Sequence, residues 1–557
     1  MPPSQEELAR MMAAVKSSKE KREDNRAERE YQERKEAEAR ADSAASAHPD
    51  FSTIPLVVIS VCTMDWDDRV LLDNNVSFLL WIRKYDEARE KQLTDWVSTL
   101  HEGRLPCRLA THKLDDSRGA YNINCKVVFD NGENWMVRFP MVGKVMHADE
   151  KVEIEVATMK LIRQQTSIPI PSVKAWGLAA DNPLGIGPFI MMEFIEGIGV
   201  DEIIQNTDAR IMREDINQVV VEKIFRQTVG FQLQLRKLDF PHIGSVISNS
   251  MSCEPSFAAT ITSRPFTKKT HDFLADGGVD VFGPRDETYS STAEYFHHIV
   301  DRDLEQLHVQ LNSVDDAEDA REKFIYWNVM KALIPRQVLP GRDKGPFKFM
   351  CDDFQPTNMI VNNEKDLEII AVVDWEWSYT APAQMVDSTP SWLLIESPNA
   401  WPSVDKRFAR FQKNLELFTR ILKEEEEKVL GTDVPEDETP SGILGECQKQ
   451  GRQWFHHLLL RGFNGPNCVP FIKLREETED WDKLVSAIPE EDIEAFVEKK
   501  VADLQTYEKQ LGETQERYQA ALAGESEDMV AFLDKNVELL QFDTHRHRWR
   551  SWSCFDG

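Results

Sequence analysis

Near residue 360 two β-prone runs flank a polar loop, a pattern that few folds accommodate. The loop carries Asp353 and Asn358, an apolar strand at 359–361 leaves it, and a second strand at 367–373 ends on Asp374. Because the ends of paired strands lie side by side, we expect these three oxygen-bearing side chains at the mouth of one hairpin. An acidic surface hairpin, in which Asn and Asp serve only as turn residues, is the alternative.

The three residue types are those that phosphoryl transfer requires. One carboxylate orients the attacking hydroxyl and accepts its proton, while a carboxylate and an amide oxygen hold Mg²⁺ on the phosphates. We predict that Asp353 is the base and that Asn358 and Asp374 are the metal ligands. The order of strand, loop, strand, turn and strand strengthens this prediction, since an isolated D-x-x-x-x-N spacing is common.

The composition is that of a large acidic globular protein. The chain has 557 residues, of which 41% are hydrophobic, so it can bury a sizeable core and form more than one domain. It has 66 Lys and Arg residues against 96 Asp and Glu residues, which gives a formal net charge of -30. Since clustered Lys and Arg bind nucleic-acid phosphates, this balance argues against a nucleic-acid-binding protein.

Cysteine usage and hydrophobicity indicate a reducing compartment and no membrane anchor. The 8 cysteines lie far apart and form no C-x-x-C pair, which argues against a zinc ribbon or a redox motif. The longest early apolar run, residues 54–62, is about half as long as a membrane span. Residues 1–50 are charged throughout, unlike a signal peptide. We therefore expect a cytoplasmic protein, with the nucleus as the alternative.

The first 50 residues differ in composition from the rest of the chain. Acidic and basic side chains interleave there at i,i+4 spacing with few apolar residues, which favours a solvated helical or disordered arm at 1–50. A helix that binds a protein partner is the alternative. Residues 51–104 follow as a helical leader, because apolar residues recur at helical spacing between 66 and 102.

The remaining pattern predicts an α+β fold with two lobes. Strands at 124–129 and 135–139 are joined by an Asp-Asn-Gly turn, and a helix follows at 149–165. Later segments have mostly helical periodicity, with helices predicted at 404–430, 443–462 and 490–520. The predicted parts are a small β-rich N-lobe at 105–195, a large helical C-lobe at 196–510 containing the loop at 351–376, and a C-terminal helix and tail at 511–557.

Two motifs resemble those of the aminoglycoside phosphotransferase/choline kinase-like family, which has a protein-kinase-like fold. The family's H-G-D-x-x-x-x-N motif corresponds to residues 351–358, and its I-D-W-E motif corresponds to residues 373–376. The resemblance extends over roughly residues 105–480 and is that of a fungal branch of the family. It implies a phosphotransferase that moves the γ-phosphoryl group of ATP or GTP to a hydroxyl of a small molecule, with Mg²⁺ bound in the cleft.

The resemblance also implies nucleotide-binding roles for residues of the N-lobe. Gly119 and Asn122 stand in place of the phosphate-covering loop, and Arg138 takes the position of the ATP-binding lysine. Glu155 is the helix acid expected to pair with Arg138. The hinge, which would bind adenine through main-chain groups, corresponds to Glu193, Phe194 and Ile195. A plain turn, a solvated helix side chain and a simple buried strand are the alternatives.

Two residues of the predicted catalytic loop depart from the family pattern. Cys351 replaces a histidine that braces the loop, and cysteine is the poorer hydrogen-bonding partner. Asp352 replaces a glycine, and if both Asp352 and Asp353 face the cleft, one of their pKa values should rise. A non-catalytic kinase-like protein that binds nucleotide, or acts as a scaffold, is therefore the alternative to an enzyme.

Overall fold

The structure, a computed structural model, describes most residues between 66 and 523. The described ranges are 66–111, 119–206, 210–248, 259–401, 403–431, 433–463, 466 and 468–523. The chain divides into two compact units, residues 1–57 and 58–557, and every described residue belongs to the second. The arm predicted at 1–50 and the end of the predicted tail lie outside these ranges. Within them, no helix combines the length and the apolar character of a membrane span.

The N-lobe is built on a five-stranded antiparallel sheet. Its strands are β1 Cys107–Leu109, β2 Asn122–Phe129, β3 Asn134–Pro140, β4 Val173–Gly177 and β5 Phe189–Glu193. Their spatial order is β1-β2-β3-β5-β4. The predicted hairpin is confirmed as β2 and β3, in which Asn124 pairs with Arg138. Gly132 in its turn has φ +86°, which glycine adopts without strain.

Helices cover both faces of this sheet. The helix predicted at 66–102 is confirmed as α1 Asp68–Ala88, a π-helical turn Arg89–Leu93 and α2 Thr94–Leu100. Aromatic side chains of α1 pack on one face of the sheet, among them Phe78, Trp81 and Tyr85. On the other face lies α3 Ala148–Gln165, whose Val156 shares a core with Met136 of β3. The helix predicted at 149–165 is thereby confirmed.

The strands of the C-lobe lie beside the cleft. In the described ranges they form two three-stranded sheets and one hairpin. The first sheet consists of β7 Asp239–Phe240, β10 Phe347–Cys351 and β13 Ser378–Ala381, and the second of β6 Ile198–Gly199, β11 Met359–Val361 and β12 Ile369–Val372. The hairpin pairs β8 Ser245–Ser248 with β9 Ala259–Ser263. The loop predicted to carry the chemistry joins β10 to β11 and so is anchored in both sheets.

Helices make up most of the C-lobe. They are α4 Val200–Ile204, α5 Gln218–Arg236, α6 Lys268–Ala275, α7 Thr292–Val309, α8 Ala317–Gln337, α9 Ala383–Val386, α10 Lys406–Leu430, α11 Pro440–Cys447, α12 Arg452–Arg461, α13 Val469–Glu477, α14 Trp481–Ser486 and α15 Glu490–Ala523. The side chains of Asn217, Ser291 and Asp405 accept backbone N–H hydrogen bonds at the first turns of α5, α7 and α10. These caps determine where the three helices begin.

Two of the three long helices predicted for the C-lobe are confirmed, at α10 and α15. The single helix predicted at 443–462 is wrong. Gln450 has φ +56° and Gly451 has φ +71°, so the chain turns out of the helical conformation between α11 and α12. The predicted α+β fold with a small sheet-containing lobe and a large helical lobe is otherwise confirmed.

Residues 259–285, here called the bridging segment, connect the two lobes. Arg264 donates to both carboxylate oxygens of Glu150 on α3, at 3.1 and 2.7 Å. The backbone N–H of Lys268 donates to Asp352 Oδ2 at 3.0 Å, at the start of the loop between β10 and β11. The segment therefore contacts both sides of the cleft and limits how far the lobes can move apart.

Candidate active site

The predicted base and one predicted metal ligand are hydrogen-bonded to each other. Asn358 Nδ2 donates to Asp353 Oδ2 and to the Asp353 carbonyl oxygen, each at 2.9 Å. Gln355 Nε2 donates to Asp353 Oδ1, also at 2.9 Å. These bonds fix the orientation of the Asp353 carboxylate, which is half-buried.

The hairpin that follows brings Asp374 next to Asn358. Met359 pairs with Val372 between β11 and β12, and the Val373 N–H donates to the Asn358 carbonyl oxygen at 2.9 Å. Asp374 has φ +60°, a left-handed conformation that is uncommon for residues other than glycine. This conformation turns the chain directly after the strand, and such backbone outliers occur mainly at functional sites.

Two oxygens at this hairpin are buried and have no hydrogen-bond partner among the described residues. They are Asn358 Oδ1 and Asp374 Oδ2, on residues that are 2% and 4% exposed. An unpaired buried polar atom costs about 1–3 kcal/mol, so such atoms are typical of ligand sites. An amide and a carboxylate oxygen are the hard donors that Mg²⁺ prefers, and the two residues therefore fit a magnesium ion.

The protein offers few side-chain ligands for a metal ion at this site. In the described part of the chain, no group of three His, Cys, Asp or Glu side chains could hold a metal ion by itself. Mg²⁺ usually takes only one or two carboxylates from the protein and completes its shell with water and substrate phosphates. The site therefore suits a metal ion that arrives together with a nucleotide.

Arg138 on β3 crosses the cleft and contacts both lobes. Its Nε donates to Asn124 Oδ1 at 3.1 Å and its Nη1 to Glu155 Oε1 at 2.8 Å. Its Nη2 donates to Asp374 Oδ1 at 2.5 Å. The expected pair with Glu155 is therefore present, and one arm of the guanidinium also holds the predicted metal ligand.

The buried charges shift the pKa values of this pair. Burial raises the pKa of Asp374 to about 7. The positive charge of Arg138 lowers this pKa, but repulsion from Glu376 and Glu155 opposes the effect of Arg138. Burial alone would lower the pKa of Arg138, but the attraction of Asp374 and Glu155 raises it above its usual value. The guanidinium is therefore always charged, and burial among other carboxylates makes the Asp374 carboxylate easier to protonate than an exposed one.

A second buried ion pair lies beside the first, and it joins the acid of the I-D-W-E motif to a lysine that no motif indicated. Lys151 on α3 contacts Glu376 Oε2, and its Nζ lies 3.1 Å from Asn122 Oδ1. Asn122 Nδ2 also donates to Glu376 Oε2 at 2.8 Å. Burial by itself raises the pKa of Glu376, but Lys151 and Arg138 hold it below its usual value. Glu376 is therefore an anion that is already paired.

The phosphate-covering loop was predicted to include Gly119 and Asn122. The Gly119 N–H donates to the Asn122 carbonyl oxygen at 2.8 Å, which closes a tight turn before β2. The Asn122 side chain points to Lys151 and Glu376, as described above, so it anchors the loop to the C-lobe. Residues 112–118, on the other side of the turn, lie outside the described ranges.

The carboxylates of Asp352 and Asp353 have different hydrogen-bond partners. Its Oδ2 accepts the Lys268 N–H, and its Oδ1 accepts the Tyr379 hydroxyl at 2.8 Å. Burial raises the pKa of Asp352 to about 6, and Asp353 is only the last of several smaller contributions. The expected rise of one pKa is present, but burial and not repulsion between the two carboxylates is its main cause.

Cys351, in the position of the family's histidine, still reaches the hairpin that carries Asp374. Its Sγ lies 3.9 Å from the Asp374 carbonyl oxygen, and burial raises the pKa of the thiol, which stays protonated. The backbone adds a stronger contact, because the Asp352 N–H donates to the Trp377 carbonyl oxygen at 3.0 Å. The loop is therefore braced mainly through its backbone.

The predicted hinge begins at Glu193, the last residue of β5. The Glu193 N–H donates to the Ser172 carbonyl oxygen at 2.9 Å, and the Phe194 N–H donates to the Asn134 carbonyl oxygen at 3.1 Å. Of the three predicted hinge residues, Ile195 is therefore the candidate whose N–H would contact the adenine ring of a nucleotide. Its side chain packs on an apolar cluster of the C-lobe: Ile360, Ala371 and Val373.

Comparison with known proteins agrees with the resemblance predicted from the motifs. Residues 115–385 match the phosphotransferase enzyme family. This range includes the sheet of the N-lobe from β2 onwards, the bridging segment and the whole hairpin around Asp353 and Asp374. The predicted membership of the aminoglycoside phosphotransferase/choline kinase-like group is thereby confirmed for this part of the chain.

Curated relatives are distant. A protein of Debaryomyces hansenii, "Altered inheritance of mitochondria protein 9, mitochondrial", is 23% identical over 49% of this chain and 48% of its own length. "Clavilactone A biosynthesis cluster protein Y" of Ampulloclitocybe clavipes is 24% identical over 52% of this chain and 64% of its own length. The chain thus matches less than two thirds of either protein.

The names of these relatives contradict one expectation. The Debaryomyces protein and a similarly named protein of Komagataella phaffii, which is 24% identical over 30% of this chain and 30% of its own length, are both called mitochondrial. The cytoplasmic location expected from the sequence is therefore wrong. The expectation rested on the scattered cysteines, on the short apolar run at 54–62 and on the charged residues 1–50.

Solved structures show weaker similarity. Plasmodium vivax ethanolamine kinase is 12% identical with a TM-score of 0.35, covering 74% of this chain and 85% of that chain. Spectinomycin phosphotransferase, solved with ADP and spectinomycin, is 14% identical with a TM-score of 0.30, covering 71% of this chain and 97% of that chain.

Proposed function

Because residues 115–385 belong to the phosphotransferase enzyme family, we propose that this protein transfers the γ-phosphoryl group of ATP to a hydroxyl of a small molecule. One observation carries the proposal. The unpartnered oxygens of Asn358 and Asp374 lie buried at one hairpin, beside the oriented carboxylate of Asp353. A base next to a ready magnesium site is the minimum that phosphoryl transfer requires from a protein.

Each residue has a definite role in this reaction. Asp353 would accept the proton of the acceptor hydroxyl as its oxygen attacks the γ-phosphorus and ADP leaves. Asn358 and Asp374 would hold Mg²⁺, which neutralises charge on the phosphates when bound. Arg138, positioned by Glu155, would contact the phosphates, and Gly119 would let backbone N–H groups approach them.

The hinge would bind the base of the nucleotide. We assign the adenine contact to the N–H of Ile195, since the amides of Glu193 and Phe194 are already hydrogen-bonded within the sheet. The apolar cluster of Ile360 and Val373 would form the floor below the ring. ATP is the expected donor, and GTP is a competing nucleotide to include in binding assays.

A nucleotide-binding protein without turnover is the second candidate. Arg138 already binds Asp374 Oδ1, so a metal ion at this carboxylate competes with a strong charge-assisted hydrogen bond. Cys351 in place of the bracing histidine favours the same alternative. The two candidates agree on nucleotide binding and differ only in catalysis.

Two variants separate these candidates. Thermal shift and calorimetry with the non-hydrolysable analogue AMP-PNP and Mg²⁺ measure binding, and ATP turnover measures catalysis in a screen of hydroxyl-bearing small molecules. We expect Asp374→Ala to abolish the Mg²⁺-dependent part of binding. We expect Asp353→Asn to bind AMP-PNP normally but to lose turnover by about 10²–10⁴-fold. Asp366→Asn, at an exposed position of the same hairpin, is the matched control.

The outcomes are distinct. Binding without turnover in the wild type, with every acceptor tested, would leave the nucleotide-binding candidate. The absence of a Mg²⁺-dependent shift with AMP-PNP and with a GTP analogue would contradict both candidates. A scaffold protein would then remain, and residues 1–50 would be the first place to search for a protein partner.

The cellular location is proposed from the relatives' names. We expect the full chain to be mitochondrial, as the Debaryomyces protein is named, although the match spans 48% of that protein. Fractionation of cells that express the tagged full chain, with protease protection of the organelle fraction, tests this. Recovery in the soluble fraction with a cytosolic marker would contradict it.

A further inference from the structure

Lys126 lies on the face of β2 that lines the cleft. Side chains alternate between the two faces of a strand, and on β2 those of the opposite face pack with the aromatic residues of α1: Ile123, Cys125 and Val127. On the cleft face, Asn122 and Asn124 contact Glu376 and Arg138. Lys126 is the next residue of this face, and it is only 9% exposed although its side chain ends in an ammonium.

The ammonium of Lys126 lies at the predicted hinge. Its Nζ is 3.9 Å from the centroid of the Phe194 ring, which is a cation–π contact with the middle residue of the hinge. Lys126 also pairs with Met136 on β3, two residues before Arg138, the predicted phosphate contact. Lys126 is therefore on the N-lobe side of the predicted base site, next to Ile195, whose N–H we assigned to the base.

An ammonium distinguishes guanine from adenine. It has three N–H donors and no acceptor. Guanine carries a carbonyl oxygen, O6, at the ring position where adenine carries an amino group, N6. A lysine beside this position can donate to guanine, whereas it meets a second donor on adenine. Because an unmade hydrogen bond is costly in a buried site, a lysine at the hinge bears directly on which purine is bound.

We propose that Lys126 donates a hydrogen bond to O6 of guanine, so that GTP serves as a phosphoryl donor beside ATP. This inference rests on the proposed function, since it concerns the base of the nucleotide that the same cleft binds. The ammonium can keep its contact with the Phe194 ring while one of its N–H groups points to the base. With ATP the contact with the ring remains, and adenine is therefore tolerated.

Nucleotide analogues test the contact with O6 without any change to the protein. Competition against AMP-PNP, measured by calorimetry on the full chain with Mg²⁺, would rank ATP, GTP, inosine triphosphate and 2-aminopurine riboside triphosphate. Inosine triphosphate keeps O6 and lacks the amino group of guanine, whereas the 2-aminopurine nucleotide keeps the amino group and lacks O6. GTP and inosine triphosphate should bind within about fivefold of ATP, and the 2-aminopurine nucleotide about tenfold more weakly than GTP.

One variant assigns the contact to Lys126. Lys126→Met keeps most of the stem of the side chain and removes the ammonium, so it should weaken GTP binding by about tenfold and change ATP binding by less than about threefold. A merely structural role would change both affinities in parallel. The analogue series decides the question even if this variant does not fold.

A second lysine on an aromatic ring serves as the matched control. Lys160 on α3 lies 5.4 Å from the centroid of the Trp176 ring on β4, at the edge of the sheet and away from the predicted base site. Lys160→Met should therefore leave the affinities for ATP and GTP unchanged. A shift in their ratio in this control would show that loss of any such lysine alters base selection, and would overturn the assignment of Lys126.

The remaining outcomes are distinct. A wild type that binds ATP more than about fivefold more tightly than GTP would overturn this inference and leave the proposed function intact. Equal binding of GTP and the 2-aminopurine nucleotide would also overturn it, because O6 then makes no contact. Undiminished GTP binding in folded Lys126→Met would do the same, because another group then recognises guanine. A wild type that binds none of these nucleotides with Mg²⁺ would contradict the proposed function itself.

Discussion

Arg138 Nη2 lies 2.5 Å from Asp374 Oδ1, so the residue predicted to bind phosphates holds the residue predicted to bind the metal ion. The other arm of the guanidinium binds Glu155 at 2.8 Å. Removing one partner of a buried ion pair leaves an uncompensated charge, which is more costly than the pair itself is stabilising. Arg138 therefore links the predicted phosphate-binding and metal-binding residues to the stability of the cleft.

The first prediction concerns this arginine. Arg138→Met removes charge-assisted hydrogen bonds to the nucleotide, each of which contributes about 1.5–3 kcal/mol, so AMP-PNP affinity should fall by at least about tenfold. The unpaired carboxylates of Glu155 and Asp374 should also lower the free energy of unfolding by about 3–5 kcal/mol. Calorimetry and urea denaturation measure the two effects.

Two controls accompany this variant. Arg138→Lys keeps the charge and should retain most of the nucleotide affinity, because the family's usual residue at this position is lysine. Arg108→Met, at an exposed position of β1 in the same sheet, should change neither quantity. Normal AMP-PNP affinity in a folded Arg138→Met protein would contradict the assigned role.

The second prediction compares two ion pairs that link the bridging segment to α3. The side chains of Arg264 and Glu150 are 8% and 6% exposed, whereas those of Arg285 and Glu153 are 54% and 26% exposed. Arg264→Met should therefore lower the free energy of unfolding by about 3–5 kcal/mol. Arg285→Met should lower it by less than about 1 kcal/mol, because solvent screens an exposed pair.

Thermal and urea denaturation of both variants measure this difference. The two pairs join the same elements but differ in burial, and Arg264 also donates to the Gly283 carbonyl oxygen at 2.6 Å, so both differences should make its removal the more costly. Equal losses of stability in the two variants would mean that the bridging segment is not held by the buried pair. In the folded fraction of Arg264→Met, AMP-PNP affinity also reports whether the pair contributes to the spacing of the lobes.

The parts of the site that are local in sequence could be predicted. The hairpin around Asp353, Asn358 and Asp374 is one such part, because strand periodicity and turn residues within about thirty positions determine which side chains meet. The split of the helix predicted at 443–462 depends on Gln450 and Gly451, which both adopt a left-handed conformation. Gly451 is a local signal for the end of a helix, but the helical spacing of the apolar residues on either side of it outweighed that signal in the prediction.

Contacts between distant segments could not be predicted. Lys151 precedes Glu155 by one helical turn, and in sequence this spacing is typical of an exposed i,i+4 pair. The structure instead buries Lys151 against Glu376, and Asn122 joins them from a position 254 residues away from Glu376. Only the packing of α3 against both lobes brings these three residues together, and no periodicity encodes it.

The third prediction concerns the connection between hinge and C-lobe. A Cβ atom added at Gly197 would lie 2.5 Å from Ile360 Cγ2 and 2.6 Å from the Val361 carbonyl oxygen, both on β11. Gly197→Ala should therefore displace β6 from β11 and lower the free energy of unfolding by about 1–3 kcal/mol. AMP-PNP affinity should fall as well, since Ile360 belongs to the predicted floor of the base site.

A glycine without neighbours serves as the control. Nothing lies within 4 Å of a Cβ built at Gly230, which is inside α5. Gly230→Ala should therefore raise the free energy of unfolding by about 0.5–1 kcal/mol, because alanine is the better helix former. Denaturation and calorimetry on the two alanine variants test the difference in sign. Destabilisation by Gly230→Ala, or none by Gly197→Ala, would contradict this interpretation.

The fourth prediction is a pH dependence of stability that arises from Asp352. Burial raises the pKa of this carboxyl from 3.8 to about 6 in the folded chain. Between these two pH values the folded chain holds a proton that the unfolded chain has released, so the free energy of unfolding should fall as the pH rises. The fall amounts to at most about 3 kcal/mol and should be complete above about pH 7.

Asp352→Asn isolates this contribution, because asparagine does not titrate. The stability of the wild type minus that of Asp352→Asn should decrease between pH 4.5 and pH 7, and should then stay constant to pH 8. Tyr379→Phe removes a hydrogen bond that lowers the pKa of Asp352, and should move the decrease to higher pH. Urea denaturation at half-unit pH intervals gives the three curves. A difference between wild type and Asp352→Asn that rises with pH would show that the folded chain favours the ionised carboxylate, opposite to the effect of burial.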